Sequence, residues 1–202
     1  MRPFLVLSTP RSGTAWIANW LTHQGVYCYH ELFGEPGVTS VEDVALRLRE
    51  DNGLVLGNSD SGNIWFLEQL RGLMPDVVLV AVTRPVEDVY RSLERAIVLP
   101  EEVLQAAWES LLELSECLSY AINEYGLQEE TFGELFTVPP EVSIAAGRRI
   151  WDTVSGGRPF DEDRWLRLRR MNVQLTSEAL DSIFSRAPYM RHLLETRDEY
   201  TA

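Results

Sequence analysis

Residues 77–83 read Val-Val-Leu-Val-Ala-Val-Thr, apolar at six successive positions. A strand with apolar side chains on both faces is stable only when both faces are covered, as in a parallel sheet flanked by helices. Shorter runs of the same kind occupy residues 3–8, 26–29 and 54–56. Stretches of helical periodicity alternate with them at residues 14–22, 41–49, 64–73 and from Pro85 to Ile97. This alternation predicts an α/β fold of three layers, with a central parallel sheet of about four to five strands between helices.

Beyond residue 100 the pattern turns helical. Residues 101–125 place Leu104, Trp108, Leu111, Leu112, Leu118 and Ile122 on or near one stripe, the pattern of an amphipathic helix. Residues 131–139 are compatible with a last strand, 140–154 with a helix and 161–171 with an arginine-rich helix. Residues 187–202 read as a polar peripheral tail. With no repeat or linker, residues 1–202 are expected to form a single domain.

Composition narrows the function classes. The net charge of −13 argues against a nucleic-acid surface, because phosphate backbones repel an acidic protein. Cys28 and Cys117 lie far apart, with no His/Cys spacing for a metal and no disulfide framework. Both are expected as thiols in a reducing cytoplasm. The apolar run Phe4–Leu7 is short for a signal peptide, and no stretch approaches the ~18 apolar residues of a membrane span. All 18 basic residues are arginine, so any phosphate-binding role usually given to lysine falls to arginine.

The segment Ser8-Thr9-Pro10-Arg11-Ser12-Gly13-Thr14 joins the first predicted strand to the first helix. Unpaired N–H groups at a helix start make an anion site. Gly13 lets the backbone curl closely, and Arg11, Ser12 and Thr14 add a charged fork and two hydroxyls. The Walker pattern G-x-x-x-x-G-K is missing, and Val77–Thr83 holds no acidic residue for magnesium. A metal-independent transfer fits better than a kinase.

With these residues, Ser8–Trp16 resembles the 5'-phosphosulfate loop of the P-loop sulfotransferase superfamily, matching each fixed place of [ST]-x-P-[KR]-S-G-T-x-W. The resemblance implies a P-loop-like fold, 3'-phosphoadenylyl sulfate (PAPS) as co-substrate and its bisphosphate (PAP) as product. It implies that Arg11 contacts the 5'-phosphate and bridging oxygen, while Ser12, Gly13 and Thr14 cradle the phosphate. Ala15 and Trp16 complete the cofactor-binding stretch, Trp16 on the adenine side, although a core position suits Trp16 equally. A second family element is an Arg after a later strand followed by a Ser on a helix; Arg84 and Ser92 match, implying a 3'-phosphate grip. An ion pair of Arg84 with Glu87 or Asp88 is the plainer alternative. Ser155-Gly156-Gly157-Arg158-Pro159 is the candidate for the family's C-terminal basic segment, so Arg158 is a cofactor-binding candidate, with Arg148-Arg149 as the alternative.

Cytosolic members of that family use a His ahead of the 3'-phosphate Arg, and residues 57–62 contain none. Other branches use a Glu in the loop after the second strand, where Glu31 stands. Glu31 is therefore the candidate base, His30 its substitute or helper, and Asp60 a more distant choice; ordinary loop positions remain the alternative for both His30 and Glu31. His23 and His192 read as surface residues. The resemblance covers about the first half of the chain. It implies a transferase acting on a small-molecule, glycan or lipid acceptor. The alternatives are a nucleotide-binding protein of the same fold without catalysis, and a small kinase. Neither the acceptor nor the oligomeric state can be read from the residues.

Overall fold

A computed structural model describes residues 2–50, 53–96 and 101–170. The expected tail at 187–202 and His192 lie outside the described residues.

The chain opens with β1 (Phe4–Ser8), α1 (Thr14–Leu21), β2 (Val26–His30), a short 3-10 turn (Leu32–Gly34), α2 (Val41–Leu48) and β3 (Val55–Ser59). It continues through α3 (Gly62–Trp65), α4 (Leu67–Leu73), β4 (Val78–Thr83), α5 (Val86–Ala96) and α6 (Glu101–Tyr125). It closes with β5 (Glu129–Thr131), α7 (Phe132–Phe136), α8 (Pro140–Val154) and α9 (Glu162–Arg169). The five strands form one all-parallel sheet in the order β2-β3-β1-β4-β5, so the α/β expectation holds.

The pleat sorts the core into two layers. Leu5, Leu7, Leu56 and Ala81 face one side, where they pack with α2, α4 and α6 through Val44, Leu70, Leu114 and Leu118. Phe4, Val6, Val80 and Val82 face the other, against Ile17, Trp20, Ile150, Trp151 and Trp165 of α1, α8 and α9. β1 at the centre is wholly buried. The loop after β1 leads to α1 on one face, while the loops after its neighbours β3 and β4 lead toward α3 and α6 on the other. Where connections diverge in this way, a crevice opens at the carboxyl ends of the strands.

Three local expectations need correction. The single helix read over residues 64–73 is two pieces, α3 and α4, with Phe66 (φ −107°) between them. β3 runs on through Gly57-Asn58-Ser59, which composition alone does not mark as strand. Gly57 pairs in register with Phe4, and a Cβ there would lie 2.2 Å from the Phe4 ring. The buried Asn58 side-chain amide donates from Nδ2 to Asn63 Oδ1 at 2.9 Å, so its polarity is met inside the protein. The last strand is the three-residue β5, and residues 132–136 are helical. Thr131 and Glu134 form a reciprocal capping box that starts α7 at this point.

β2 lies at the outer edge, where open backbone groups invite pairing with another chain. Here those of Val26 and Cys28 are covered. The Thr22 hydroxyl bonds both the N–H and the carbonyl of Cys28 at 3.1 and 3.3 Å, and His23 bridges to Val26. No helix among the described residues is long and apolar enough to cross a membrane.

Candidate functional site

The turn between β1 and α1 carries a strained backbone. Arg11 (φ 62°) and Gly13 (φ 85°) both adopt left-handed conformations, costly for a residue with a side chain and characteristic of functional loops. Gly13 begins α1 with no side-chain cap, which leaves first-turn N–H groups available to an anion. A Cβ on Gly13 would stand 2.9 Å from the Phe136 ring, so glycine is required there for both conformation and space. Buried Ser12 hydrogen-bonds Thr9 through the two hydroxyls at 2.8 Å. The Ser8 hydroxyl, buried at the mouth of the turn, has no hydrogen-bond partner among the described residues. Buried polar groups are seldom left in that state unless a ligand or water completes them.

Arg84, at the end of β4, reaches across to this turn. Its Nη1 donates to the Arg11 carbonyl at 2.5 Å, and its guanidinium lies 4.2 Å over the Phe132 ring. Arg11 in turn donates from Nε to the Ser92 hydroxyl on α5 at 3.3 Å. Loops from two neighbouring strands and one helix therefore meet through these hydrogen bonds at the carboxyl end of the sheet. No family model matches this chain, and no curated protein matches it. Burial depresses the pKa of Arg11. Arg84 is lowered first by burial and further by the charge of Arg11, against an opposing pull from Asp88. Neither guanidinium forms an ion pair among the described residues. The alternative ion pair of Arg84 with Glu87 or Asp88 is not formed among the described residues, and Asp88 pairs with Arg91 at 3.5 Å instead. Two half-buried, adjacent positive charges without a bound carboxylate favour an incoming polyanion.

The carboxyl end of β2 brings a second group of residues to the same loop. His30 Nε2 lies 3.2 Å from the Thr14 hydroxyl and 3.5 Å from Glu31 Oε1. Burial lowers the His30 pKa to about 4, so the ring is neutral near pH 7 and the approach to Glu31 is not an ion pair there. Glu31 adopts a left-handed conformation (φ 58°) at the strand end, and its side chain is 37% exposed. Asp60, the more distant choice of base, is buried, and burial pushes its carboxyl up. Its two oxygens accept from the N–H groups of Gly62 at 2.8 Å and Phe33 at 3.3 Å. Asp60 thus anchors the loop that carries Glu31.

Other candidates go elsewhere. Trp16 is 7% exposed, packs against Trp20, Phe136 and Trp165, and donates its indole N–H to Leu168 at 2.9 Å; it belongs to the core. Arg158 lies against Gly25 and bonds the Ser155 carbonyl at 2.5 Å. Gly25 immediately precedes β2, so this is the amino edge of the sheet, opposite the loop. Arg149 grips buried Glu130 through two 2.6 Å bonds, and Arg148 pairs with Glu162 at 3.3 Å. His23 is half-buried rather than superficial, 3.1 Å from Asp161. Sequence reasoning missed Phe132 and Phe136, the floor under Arg84 and Gly13. The one local signal for them was the T-x-x-E capping pattern at Thr131–Glu134.

Proposed function

We propose that this chain is a sulfotransferase, taking a sulfuryl group from PAPS and delivering it to a hydroxyl or amine. The reading is carried by the meeting of Arg11, Arg84 and Ser92 beside an uncapped helix start. PAPS has two anionic ends on one adenosine, and the cleft offers two guanidinium groups from separate strand ends. The 5'-phosphosulfate goes to the α1 start with Arg11; the 3'-phosphate goes to Arg84 and Ser92. The paired arginines supply the positive charge that a P-loop kinase draws from lysine and magnesium.

In an in-line transfer the acceptor oxygen attacks sulfur, and the bond from sulfur to the bridging phosphate oxygen breaks. Its electron pair departs on PAP, where Arg11 stabilises the charge. The acceptor proton passes to the Glu31 carboxylate. His30, neutral and bonded to Thr14, holds the end of β2 against the phosphate loop.

The test is nucleotide preference followed by turnover. PAP without magnesium is expected to raise the melting temperature, while ATP with magnesium does not. At about 100 times its dissociation constant a ligand adds roughly 2.7 kcal/mol, or about 5–10 °C for a protein of this size. Stabilisation by ATP alone would transfer the assignment to a kinase. PAP binding with no consumption of labelled PAPS across an acceptor library would leave a binding protein.

A further inference from the structure

A groove of about 370 Å³ runs along the outer edge of the sheet between α1 and β2. That size falls within the range of about 300–1,000 Å³ typical of small-molecule sites. On the helix side, Ala15, Ala18, Asn19 and Thr22 line it; the spacing i, i+3, i+4, i+7 places them along one face of α1. Ala15 and His30 stand at its near end, next in sequence to Thr14 and Glu31, so the groove leads directly from the phosphate loop.

Its chemistry is specific. β2 contributes Tyr27 and Tyr29, which leave the strand on the face away from Cys28 and His30, so the groove wraps the sheet edge; the two rings pack edge to face with centroids 4.8 Å apart. Glu35 stands on the rim. Burial first, then the charge of Glu50 and more weakly that of Glu35, raise the pKa of the Tyr29 hydroxyl against Arg47, which pairs with Glu50 at 3.8 Å. No arginine lines the groove, and His30, which does, is neutral near pH 7. Arg164, at the far end, donates to the carbonyls of Asn19 and Thr22 at 2.9 and 3.1 Å, and is thereby held at the helix terminus. A peptide strand cannot add here, because Thr22 and His23 already occupy the edge positions of Cys28 and Val26. Tyrosine rings beside a carboxylate favour a cation over an anion.

We infer that this groove is the acceptor site and takes a small hydroxylated amine. The hydroxyl lies at the His30–Glu31 end, and the protonated nitrogen lies against the Tyr27–Tyr29 pair and Glu35. The transfer to that hydroxyl rests on the sulfotransferase reading; the binding does not.

Three sugars of one ring size separate the charge classes: glucosamine, glucose and glucuronate. Their binding to the full chain is read by saturation-transfer NMR without nucleotide, beside the PAP melting shift on the same samples. Glucosamine is expected to bind best and glucuronate worst. Asn19→Trp, at an exposed helix position, fills the groove and should abolish the sugar signal while preserving the PAP shift. Glu35→Gln, a conservative surface change, should cut the glucosamine-over-glucose preference about two- to fivefold, the scale of an exposed charge pair. Binding of none of the three, preference for glucuronate, or indifference to both substitutions overturns the groove assignment even where PAP binds. Sugar binding that obeys these rules in a protein indifferent to PAP upholds the groove and removes the sulfotransferase reading.

Discussion

The guanidinium of Arg84 donates to the main-chain carbonyl of Arg11, so the loop after β4 holds the loop after β1 in shape. Lysine could not do the same and also keep a planar fork toward a phosphate. Arg84→Ala is expected to weaken PAP binding about 10- to 100-fold, the scale of one or two charge-assisted hydrogen bonds. 5'-AMP should lose far less. Calorimetric titration with both nucleotides decides the matter; equal losses would mean that Arg84 does not read the 3'-phosphate.

Gly13 is constrained twice, by φ 85° and by the Phe136 ring. Gly13→Ala should destabilise the protein by about 1–3 kcal/mol in urea denaturation and abolish the PAP melting shift. Adding Phe136→Leu should recover part of the stability by making space, but not the part due to the dihedral. Full recovery would place all of the strain in the ring contact.

In the proposed transfer, Glu31 takes the acceptor proton. Glu31→Gln is expected to reduce turnover of labelled PAPS at least tenfold, a floor set below the factor of about 10²–10⁴ typical of general bases, while the PAP affinity stays unchanged. Equal turnover by the two proteins would remove Glu31 from the chemistry.

His30 has a prediction of its own. Burial lowers its pKa to about 4, below the value of about 6.5 in an unfolded chain. Between these values the unfolded state binds more protons, so stability is full above about pH 6.5 and declines as pH falls toward 4. The loss through this one residue is on the order of 2–3 kcal/mol. Melting curves from pH 7.5 to 4.5 should therefore fall more steeply for the wild type than for His30→Gln; parallel curves would show that the ring is charged or freely hydrated in the folded state.

Thr131 caps α7, the helix that carries Phe132 beneath Arg84. Thr131→Ala should cost about 1 kcal/mol of global stability, and Thr131→Ser should restore most of it. A loss in the alanine variant that serine does not restore would point to the methyl group rather than the hydroxyl.

Where neighbouring residues carried the information, the sequence was sufficient. The consecutive apolar positions of Val77–Val82 and Phe4–Leu7 required strands covered on both faces, and the turn Ser8–Thr14 was legible as the tight connection between a strand and a helix start that carries no side-chain cap. Arg84 and Ser92 stand out by their place after the strongest strand. Other features depended on partners distant in the chain. Gly57 is a strand residue because the ring of Phe4 presses on it in register. Trp16 belongs to the core because α9 returns Leu168 to accept from its indole. Arg158 faces away because Gly25 leaves room for it at the other edge of the sheet. The meeting of Arg11 with Arg84, 73 residues apart, exists only because β4 pairs with β1 in parallel. Local propensity and periodicity act over a few residues, whereas register and burial are settled by the whole sheet at once.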